Sequence, residues 1–397
     1  MYTMLKLSRT RLFFILCGLG SVGLTLQSCN SGAEKKSEEI VDKTNEISFS
    51  VAPAPEWTEV FQRESGWFGG DGIFAIPYSN DDTKVKDSIL FLFSDTMFGE
   101  IEDDKLLPGY VMVNNSIAFY EKGKDLSKVE FHVAEDTEGK KEAFFVPDTE
   151  GDQYYWLGDG FVNPKNGKLY VFAYRIRNLE NDSQFPFEEV GNDLLVIDRK
   201  SELPLKTDRK LPIPHAQGEA GGERISFGAG IYTEGQNVFI YGIKGANKEL
   251  VVARTKMDQV EDISSWEFRS RDGWTKDREK MEVLEDSVSN EMSVSKLNNG
   301  QYALIYQRGG IFPKIYMQLA DSPYGPFGEL REIWDTSTEV KDPDLFTYNA
   351  KAHPAISKDG ELLISYNVNS FKFFEIIEDK PQLYRPRFVK IKFNPSN

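Results

Sequence analysis

Three acidic residues stand where the chain is predicted to enter β-strands. Asp71 precedes a strand near Gly72–Tyr78, Asp159 lies within Gly158-Asp159-Gly160, and Glu291 precedes the strand-like run that begins at Met292. A protonated carboxyl can give a proton to a leaving group while an ionised one activates water, which is the chemistry of acid–base catalysed hydrolysis. We therefore predict that these three carboxyl groups work together as acid–base catalysts.

The elements that position them are β-hairpins. In the stretch Gly69–Glu100, two strands, near Gly72–Tyr78 and Ser88–Ser94, are separated by the polar linker Ser79–Asp87. A hairpin returns the chain to its starting point, so Asp95 is predicted to lie beside Asp71. Two neighbouring carboxylates at a buried strand end cost free energy, which indicates a functional role.

The same hairpin recurs four more times. The later hairpins are predicted at Gly158–Arg175, Ser226–Lys244, Asn290–Arg308 and Ala350–Val368, with turns at Asn166-Gly167, Glu234-Gly235, Asn299-Gly300 and Asp359-Gly360. Asn-Gly and Asp-Gly favour tight hairpin turns because both residues tolerate positive φ. Five similar units in one chain indicate a repeat architecture.

Further strand-like runs follow each hairpin. They are Val111–Tyr120, Asp193–Asp198, Leu250–Thr255, Trp266–Arg269, Ile315–Ala320 and Leu330–Trp334. We predict an all-β fold, a five-bladed β-propeller of four-stranded antiparallel blades. The runs Ile47–Phe61 and Arg387–Phe393 are expected to close the ring by completing one blade together. A β-sandwich is the alternative architecture, but it fits five similar units less well.

The hairpin pattern predicts which residues share the rim of the central channel. The start of each first strand should lie beside the end of its partner, which pairs Asp71 with Asp95, Asp159 with Arg175, Gly228 with Lys244, Glu291 with Arg308, and His353 with Asn367. Polar groups gathered on one rim are typical of a binding site. Trp67 and Trp156 precede first strands and are candidates for stacking on sugar rings.

The N-terminus has the pattern of a targeting segment. Lys6, Arg9 and Arg11 precede an apolar run that ends in Leu26-Gln27-Ser28-Cys29, which resembles a bacterial lipobox. The resemblance implies that residues 1–28 are a lipoprotein signal peptide, and that Cys29 is lipidated and anchors the protein in the cell envelope, at the outer membrane. Residues 29–47 are expected to form a flexible tether before the propeller domain, residues 48–397. An ordinary secretory signal is the alternative.

Composition excludes several classes of function. The formal net charge is −16, which disfavours a nucleic-acid partner. Only Cys17 and Cys29 are present, both in or next to the leader, and the chain has three histidines, so a disulfide or zinc site is not expected. We predict a monomer with a carbohydrate partner and no cofactor, the one open alternative being a channel metal such as calcium near His353.

The hairpins resemble the five-bladed propeller superfamily of furanosidases and fructosidases, and more specifically a family of bacterial secreted proteins that includes endo-D-arabinanases. The residues that carry the resemblance are Gly70-Asp71-Gly72, Phe93-Ser94-Asp95-Thr96, Asn115-Ser116, Leu157-Gly158-Asp159-Gly160, Trp266-Glu267, Ala320-Asp321-Ser322-Pro323 and Gly325-Pro326-Phe327. The resemblance implies a sugar-cleaving enzyme whose site lies at one end of the central channel.

The resemblance also implies individual roles. Asp71 would be the base, Asp159 would tune or orient, and Glu291 would be the acid. The acid of the superfamily usually lies in the third blade, where this chain has Gly228 and Gly230. Asp95, Asn115, Trp67, Trp156, Arg175, Arg308, His353 and Asn367 would contact the substrate.

Structural alternatives remain open for several of these residues. Asp71 and Asp159 could serve Asp-Gly turns, Asp95 could cap a loop, and Glu291 could pair with Arg308. Two other functions also remain open. One is a non-catalytic glycan-binding surface lipoprotein; the other is a sialidase-like enzyme that holds an anionic sugar with Arg175, Arg224 and Arg308.

Overall fold

The computed structural model describes residues 39–40, 47–78, 88–149, 151–181, 184–199, 205–216 and 223–394. Within these ranges the protein is all-β, and every paired strand is antiparallel to its neighbour. The leader and most of the predicted tether lie outside the described residues. No helix in the described ranges has both the length and the apolar content that a membrane crossing requires.

Four successive parts of the chain each form a sheet, with the strands side by side in chain order. Sheet one contains Phe74–Pro77, Ser88–Phe93, Ser116–Glu121 and Glu130–His132. Sheet two contains Gln153–Val162, Leu169–Asn178, Phe187–Ile197 and Thr207–Pro212. Sheet three contains Ile225–Glu234, Asn237–Lys244, Glu249–Lys256, Glu267–Ser270 and Gly273–Thr275. Sheet four contains Met292–Lys296, Tyr302–Gln307, Lys314–Ala320 and Arg331–Asp335.

Sheet five combines strands from the two ends of the chain. Its order is Leu345–Ala352, Glu361–Ser370, Arg387–Phe393, Phe49–Pro53 and Glu39–Ile40. The C-terminal strand therefore lies between a strand of the last hairpin and a strand from the start of the described chain. The pairing of the two predicted end strands in one sheet is present in the structure.

Smaller elements complete the fold. A side sheet contains Ser65–Gly70, Thr96–Glu102, Lys105–Leu106 and Val111–Val113, and a short hairpin pairs Ala134–Glu135 with Lys141–Glu142. The α-helices are Pro55–Thr58 and Phe373–Ile376. The 3-10 helices are Glu59–Phe61, Leu126–Lys128, Pro214–Ala216, Ile263–Ser265, Arg278–Lys280, Pro354–Ile356 and Pro381–Tyr384.

The five predicted hairpins are present as strand pairs. The turns of the second to fifth hairpins lie within the described residues, and each places a glycine at positive φ: Gly167 at 70°, Gly235 at 59°, Gly300 at 90° and Gly360 at 73°. This is the backbone conformation for which glycine carries no steric penalty. The linker of the first hairpin, residues 79–87, lies outside the described residues.

Two predicted boundaries are wrong. Within Ile47–Phe61 only Phe49–Pro53 is a strand, because Pro55 starts a short helix that continues as a 3-10 turn. The first strand of sheet five begins at Leu345, upstream of the predicted Ala350. This second error changes which residues of sheet five lie near the carboxylates.

Five apolar clusters join the sheets. Each cluster lies between two sheets: one with two, two with three, three with four, four with five, and five with one. The first strands of sheets one to five also contact one another in this order, and Pro354–Ile356 of sheet five contacts the first strand of sheet one. Each of the five sheets therefore packs against two others, and their first strands face one another.

Candidate active site

Asp71 and Asp95 are neighbours, as the hairpin predicted. The Asp71 amide donates to the Asp95 carbonyl at 3.1 Å, and the Ser94 amide donates to the Asp71 carbonyl at 2.8 Å. Burial raises the pKa of both carboxyl groups, and the charge of Asp71 raises that of Asp95 further, to about 7. Their backbones pair across the start of the hairpin, so neither residue acts as an isolated loop cap.

Side chains from the sheets on either side hold this pair. The Tyr348 hydroxyl, from sheet five, donates to Asp71 Oδ2 at 2.6 Å. From sheet two, Trp156 Nε1 donates to Asp95 Oδ1 at 2.9 Å. Asn114 Nδ2, which lies just before strand Ser116–Glu121 of sheet one, donates to the same oxygen at 3.2 Å. Trp156, predicted to contact substrate, therefore lies at the site and positions a carboxylate.

Asp159 lies in a β-bulge and not in a turn. The register between the first two strands of sheet two shifts between Leu157 and Gly160, so that Gly158 and Asp159 together lie opposite the single residue Phe172. Its carboxylate accepts hydrogen bonds from the Gly160 amide at 2.8 Å and the Ile231 amide at 2.7 Å. Burial nevertheless raises its pKa to about 7. The bulge aims this carboxyl group toward sheet three.

Glu291 is paired with a lysine that the sequence did not single out. Glu291 is 7% exposed and its Oε2 contacts Nζ of Lys351, which is buried on sheet five. Burial raises the pKa of Glu291 to about 7, the Lys351 charge opposes this rise, and the charges of Asp71 and Asp159 add to it. The charges of the two other predicted catalytic residues, Asp71 and Asp159, therefore act on Glu291, and we call Asp71, Asp95, Asp159 and Glu291 the carboxylate cluster.

The predicted pair of Glu291 with Arg308 is wrong. Arg308 Nη2 lies 3.4 Å from Asp286 Oδ1, and both side chains are exposed. In the register of sheet four, Met292 faces Tyr306, so Arg308 lies beyond the end of the paired strand. The cation that pairs with Glu291 is Lys351, and not Arg308 as the sequence predicted.

Tyr174 and Glu189 also have raised pKa values. The Tyr174 hydroxyl is buried without a hydrogen-bond partner among the described residues. Its pKa is raised by burial and then by the charges of Glu189, Glu291 and Asp159. Glu189 accepts a hydrogen bond from Ser226 at 2.5 Å, and burial raises its pKa to about 6.

Asn115, Asn367 and Trp67 are buried and have structural contacts. Buried Asn115 bonds the amide and carbonyl of Phe145, and buried Asn367 donates to the Gly70 carbonyl at 3.0 Å. Trp67 is 2% exposed and stacks on Phe131 with ring centroids 4.6 Å apart. These contacts explain why the three side chains are buried, and their role in substrate contact stays a prediction.

His353 is also removed from the predicted rim. Asn367 pairs with Tyr348, whereas the His353 amide donates to the Leu363 carbonyl, so the two residues lie at different points along the hairpin. A hydrogen bond of 2.7 Å joins His353 Nε2 to Ser365 Oγ, and burial holds the pKa of this imidazole well below its usual value. No group of three or more His, Cys, Asp or Glu side chains in the described ranges is arranged to hold a metal.

Arg175 does not form the predicted anion clamp. Its Nε lies 3.0 Å from Asp193 Oδ2, which also accepts a hydrogen bond from the Tyr155 hydroxyl at 2.6 Å. Arg308 is paired with Asp286 as described above. Two of the three arginines of that clamp therefore contact carboxylates, which counts against the sialidase-like alternative.

The fold and the site together define an all-β, propeller-like protein with a cluster of carboxyl groups between its sheets. The chain belongs to the family described as Domain of unknown function (DUF5005), which it matches over residues 55–394. Comparison with curated proteins gives no match.

Among solved structures, a candidate hydrolase from Bacteroides ovatus superposes with a TM-score of 0.69 at 19% identity, covering 89% of this chain and 93% of that one. An exo-β-1,3-galactanase from Phanerochaete chrysosporium, determined with β-1,3-galactotriose, gives 0.47 at 10% identity, covering 82% and 62%. A GH43 protein from Bacillus licheniformis gives 0.38 at 15% identity, covering 81% and 51%. The likeness to the Bacteroides protein shows a shared fold.

Proposed function

We propose that this protein is a glycoside hydrolase that acts on a polysaccharide or oligosaccharide, with arabinofuranosides among the candidate substrates. The observation that carries the proposal is the cluster of Asp71, Asp95, Asp159 and Glu291, whose carboxyl groups all have raised pKa values. Bringing such groups together costs free energy of folding. Carboxyl groups with raised pKa values are typical of active sites, where a proton donor is needed beside an ionised base.

In the proposed reaction Glu291 is the acid and Asp71 the base. The proton of Glu291 passes to the glycosidic oxygen as the bond from that oxygen to the anomeric carbon breaks. A water molecule forms the new bond to the anomeric carbon and gives its proton to Asp71. Asp159 assists because its charge favours the protonated form of Glu291. We propose inversion at the anomeric carbon, which requires the acid and base to be about 6.5–9.5 Å apart.

We also propose that the five sheets are the blades of a closed β-propeller. The clusters that join each sheet to two others support this arrangement, as does the pairing of Phe49–Pro53 with Arg387–Phe393. In such a fold the first strands line a central channel and the carboxylates meet at its mouth. The fold shared with a candidate hydrolase supports hydrolysis as the reaction.

The proposed location is the bacterial cell envelope, at the outer membrane. The support is the sequence Leu26-Gln27-Ser28-Cys29 after a basic and apolar leader. We propose that acyl chains on Cys29 hold a monomeric enzyme at the membrane, since stable anchoring takes more than one chain.

The test is a hydrolysis screen of the purified protein on arabinan, fructan, β-1,3-galactan and xylan, measured as released reducing sugar. Asp71→Asn and Glu291→Gln should each lower turnover by about 10²–10⁴-fold, which is the usual contribution of a general acid or base. Asp286→Asn is the matched control, because this carboxylate is exposed and pairs only with Arg308 in the described contacts.

Two outcomes would contradict the assignment. Full activity in both amide variants would remove these carboxyl groups from the mechanism. Tight binding of one glycan by the wild-type protein, with no hydrolysis of any, would favour the glycan-binding alternative.

A further inference from the structure

A chain of aromatic rings connects sheet two to sheet five. We call it the aromatic arch; its members are Trp156, Phe187, Phe185, Phe371, Phe346 and Tyr348. Sheet one lies between these two sheets in the packing order, so the arch passes the end of sheet one where Asp71 and Asp95 lie.

The part of the arch from sheet two is carried by the connection between Leu169–Asn178 and Phe187–Ile197. The Leu179 amide donates to the Pro186 carbonyl at 2.7 Å, which closes the base of this connection. Phe187 packs edge-on against Trp156 with centroids 4.7 Å apart, and Phe185 lies 6.0 Å from Phe187. Phe185 is 44% exposed, so it projects from the sheet instead of entering its core.

The part from sheet five meets Phe185. Phe346 and Phe371 pack together at 4.6 Å, and the Phe185 ring lies 6.0 Å from Phe371 and 6.4 Å from Phe346. Phe346 in turn lies 5.4 Å from Tyr348. The rings therefore form a continuous series of contacts from one sheet to the other.

Both ends of the arch are fixed to the carboxylates. Trp156 donates to Asp95, and Tyr348 donates to Asp71. At the ends of sheets three and four, Arg224, Arg308 and Asp286 are exposed, as are the apolar Ile311 and Phe312. The continuous series of packed rings that is fixed to the carboxylates at both ends therefore lies on the side of sheet one.

We infer that the aromatic arch closes the cleft on the side of sheet one, so that only the terminal residue of a sugar chain can occupy the carboxylate cluster. This inference rests on the proposed function and specifies its substrate as a chain end. A chain bound at its middle would need to leave the site on both sides, and the arch blocks one of them. The exposed face of Phe185 offers an apolar surface for the ring of the terminal sugar.

The experiment follows the products of linear hexasaccharides that carry a fluorophore at the reducing end. The probes are α-1,5-arabinohexaose, β-1,3-galactohexaose and β-1,4-xylohexaose, and the enzymes are wild type, Phe185→Ala and Phe374→Ala. Phe374 is the matched control, because it is 72% exposed and its only ring contact in the described residues is with Phe373.

With wild type and Phe374→Ala we expect stepwise shortening. If the enzyme attacks the unlabelled end, the labelled product that is one residue shorter dominates early, and the next shorter product appears after it. If the enzyme attacks the labelled end, the label appears early in one short product. With Phe185→Ala we expect loss of this order, with products of several lengths appearing together. Phe185→Leu, which keeps an apolar side chain, should retain the stepwise pattern if Ala proves unstable.

The outcomes separate this inference from the proposed function. Simultaneous products of several lengths from the wild type would overturn the chain-end inference and leave glycoside hydrolysis standing. An unchanged stepwise pattern in Phe185→Ala would show that the aromatic arch does not determine the order of the products, and would overturn the inference. Absence of hydrolysis of all three probes, together with a negative polysaccharide screen, would overturn both.

Discussion

Replacement of Lys351 by methionine tests the electrostatics of this site directly. Lys351 is 1% exposed; its ammonium contacts Glu291, donates to the Asn349 carbonyl at 3.2 Å and lies 4.6 Å from the Phe74 ring centroid. Its charge also lowers the pKa values of Asp71 and Asp159. Removing it leaves three carboxyl groups without the cation that moderates their repulsion.

The size of the effect should depend on pH. Removing one partner of a buried ion pair costs about 3–5 kcal/mol of stability while the other stays charged. The folded-state pKa of Glu291 is about 7, above its ordinary value of 4.5. Protonation of Glu291 therefore contributes to the stability of the folded state, and this contribution is complete below pH 4.5 and is lost as the pH rises through 7. Without Lys351 this pKa rises further. The variant should therefore approach wild-type stability in acid and show the full cost in base.

Urea unfolding at about pH 5.5 and about pH 8.5 would measure this difference as a change in free energy of unfolding. Lys351→Met combined with Glu291→Gln should recover much of the loss at the higher pH, because the carboxylate that Lys351 contacts directly is then replaced by a neutral amide. Lys314→Met is the control, because its pair with Glu332 is partly exposed and solvent screening makes the contribution of such a pair to stability small. An equal loss at both pH values, or no loss at the higher one, would refute the reasoning.

Two further predictions concern the ends of the chain. Cys29→Ala should move the protein from the membrane fraction to the soluble fraction, because no acyl chains can be attached. The control variant Cys17→Ala should remain with the membranes. Equal fractionation of the two variants would contradict lipidation at Cys29. Deleting Pro386–Asn397 should abolish cooperative thermal unfolding by circular dichroism, because strand Arg387–Phe393 pairs with strands on both sides. A truncated protein with the melting temperature of the full chain would show that the terminal pairing is dispensable.

The features that the sequence predicted well are local ones. The hairpin turns depend on dipeptides that tolerate positive φ, and Gly167 and Gly300 adopt it. The proximity of Asp71 and Asp95 follows from the return of the chain in a single hairpin. Neither inference requires knowledge of how the sheets pack.

The features that were missed depend on contacts between sheets. Glu291 and Lys351 belong to different sheets, and Lys351 faces the cluster because the strand begins at Leu345 and bulges between Tyr348 and Lys351. A bulge of this kind changes the alternation of side chains and has no clear signal in the local sequence. Trp67 is buried because Ser65–Gly70 joins a side sheet that the hairpin pattern did not predict.

The terminal pairing has a consequence for biosynthesis. Ser48 and Asn394 are joined by hydrogen bonds across a sequence separation of 346 residues. At about 5–20 residues per second, a ribosome needs roughly 20 to 70 s to make the intervening chain. During that time the strand Phe49–Pro53 has no partner on its Arg387–Phe393 side, and unpaired strand edges promote aggregation. Nascent chains should therefore depend on chaperones until the last strand emerges, so that expression yield responds to conditions that leave the finished protein unaffected.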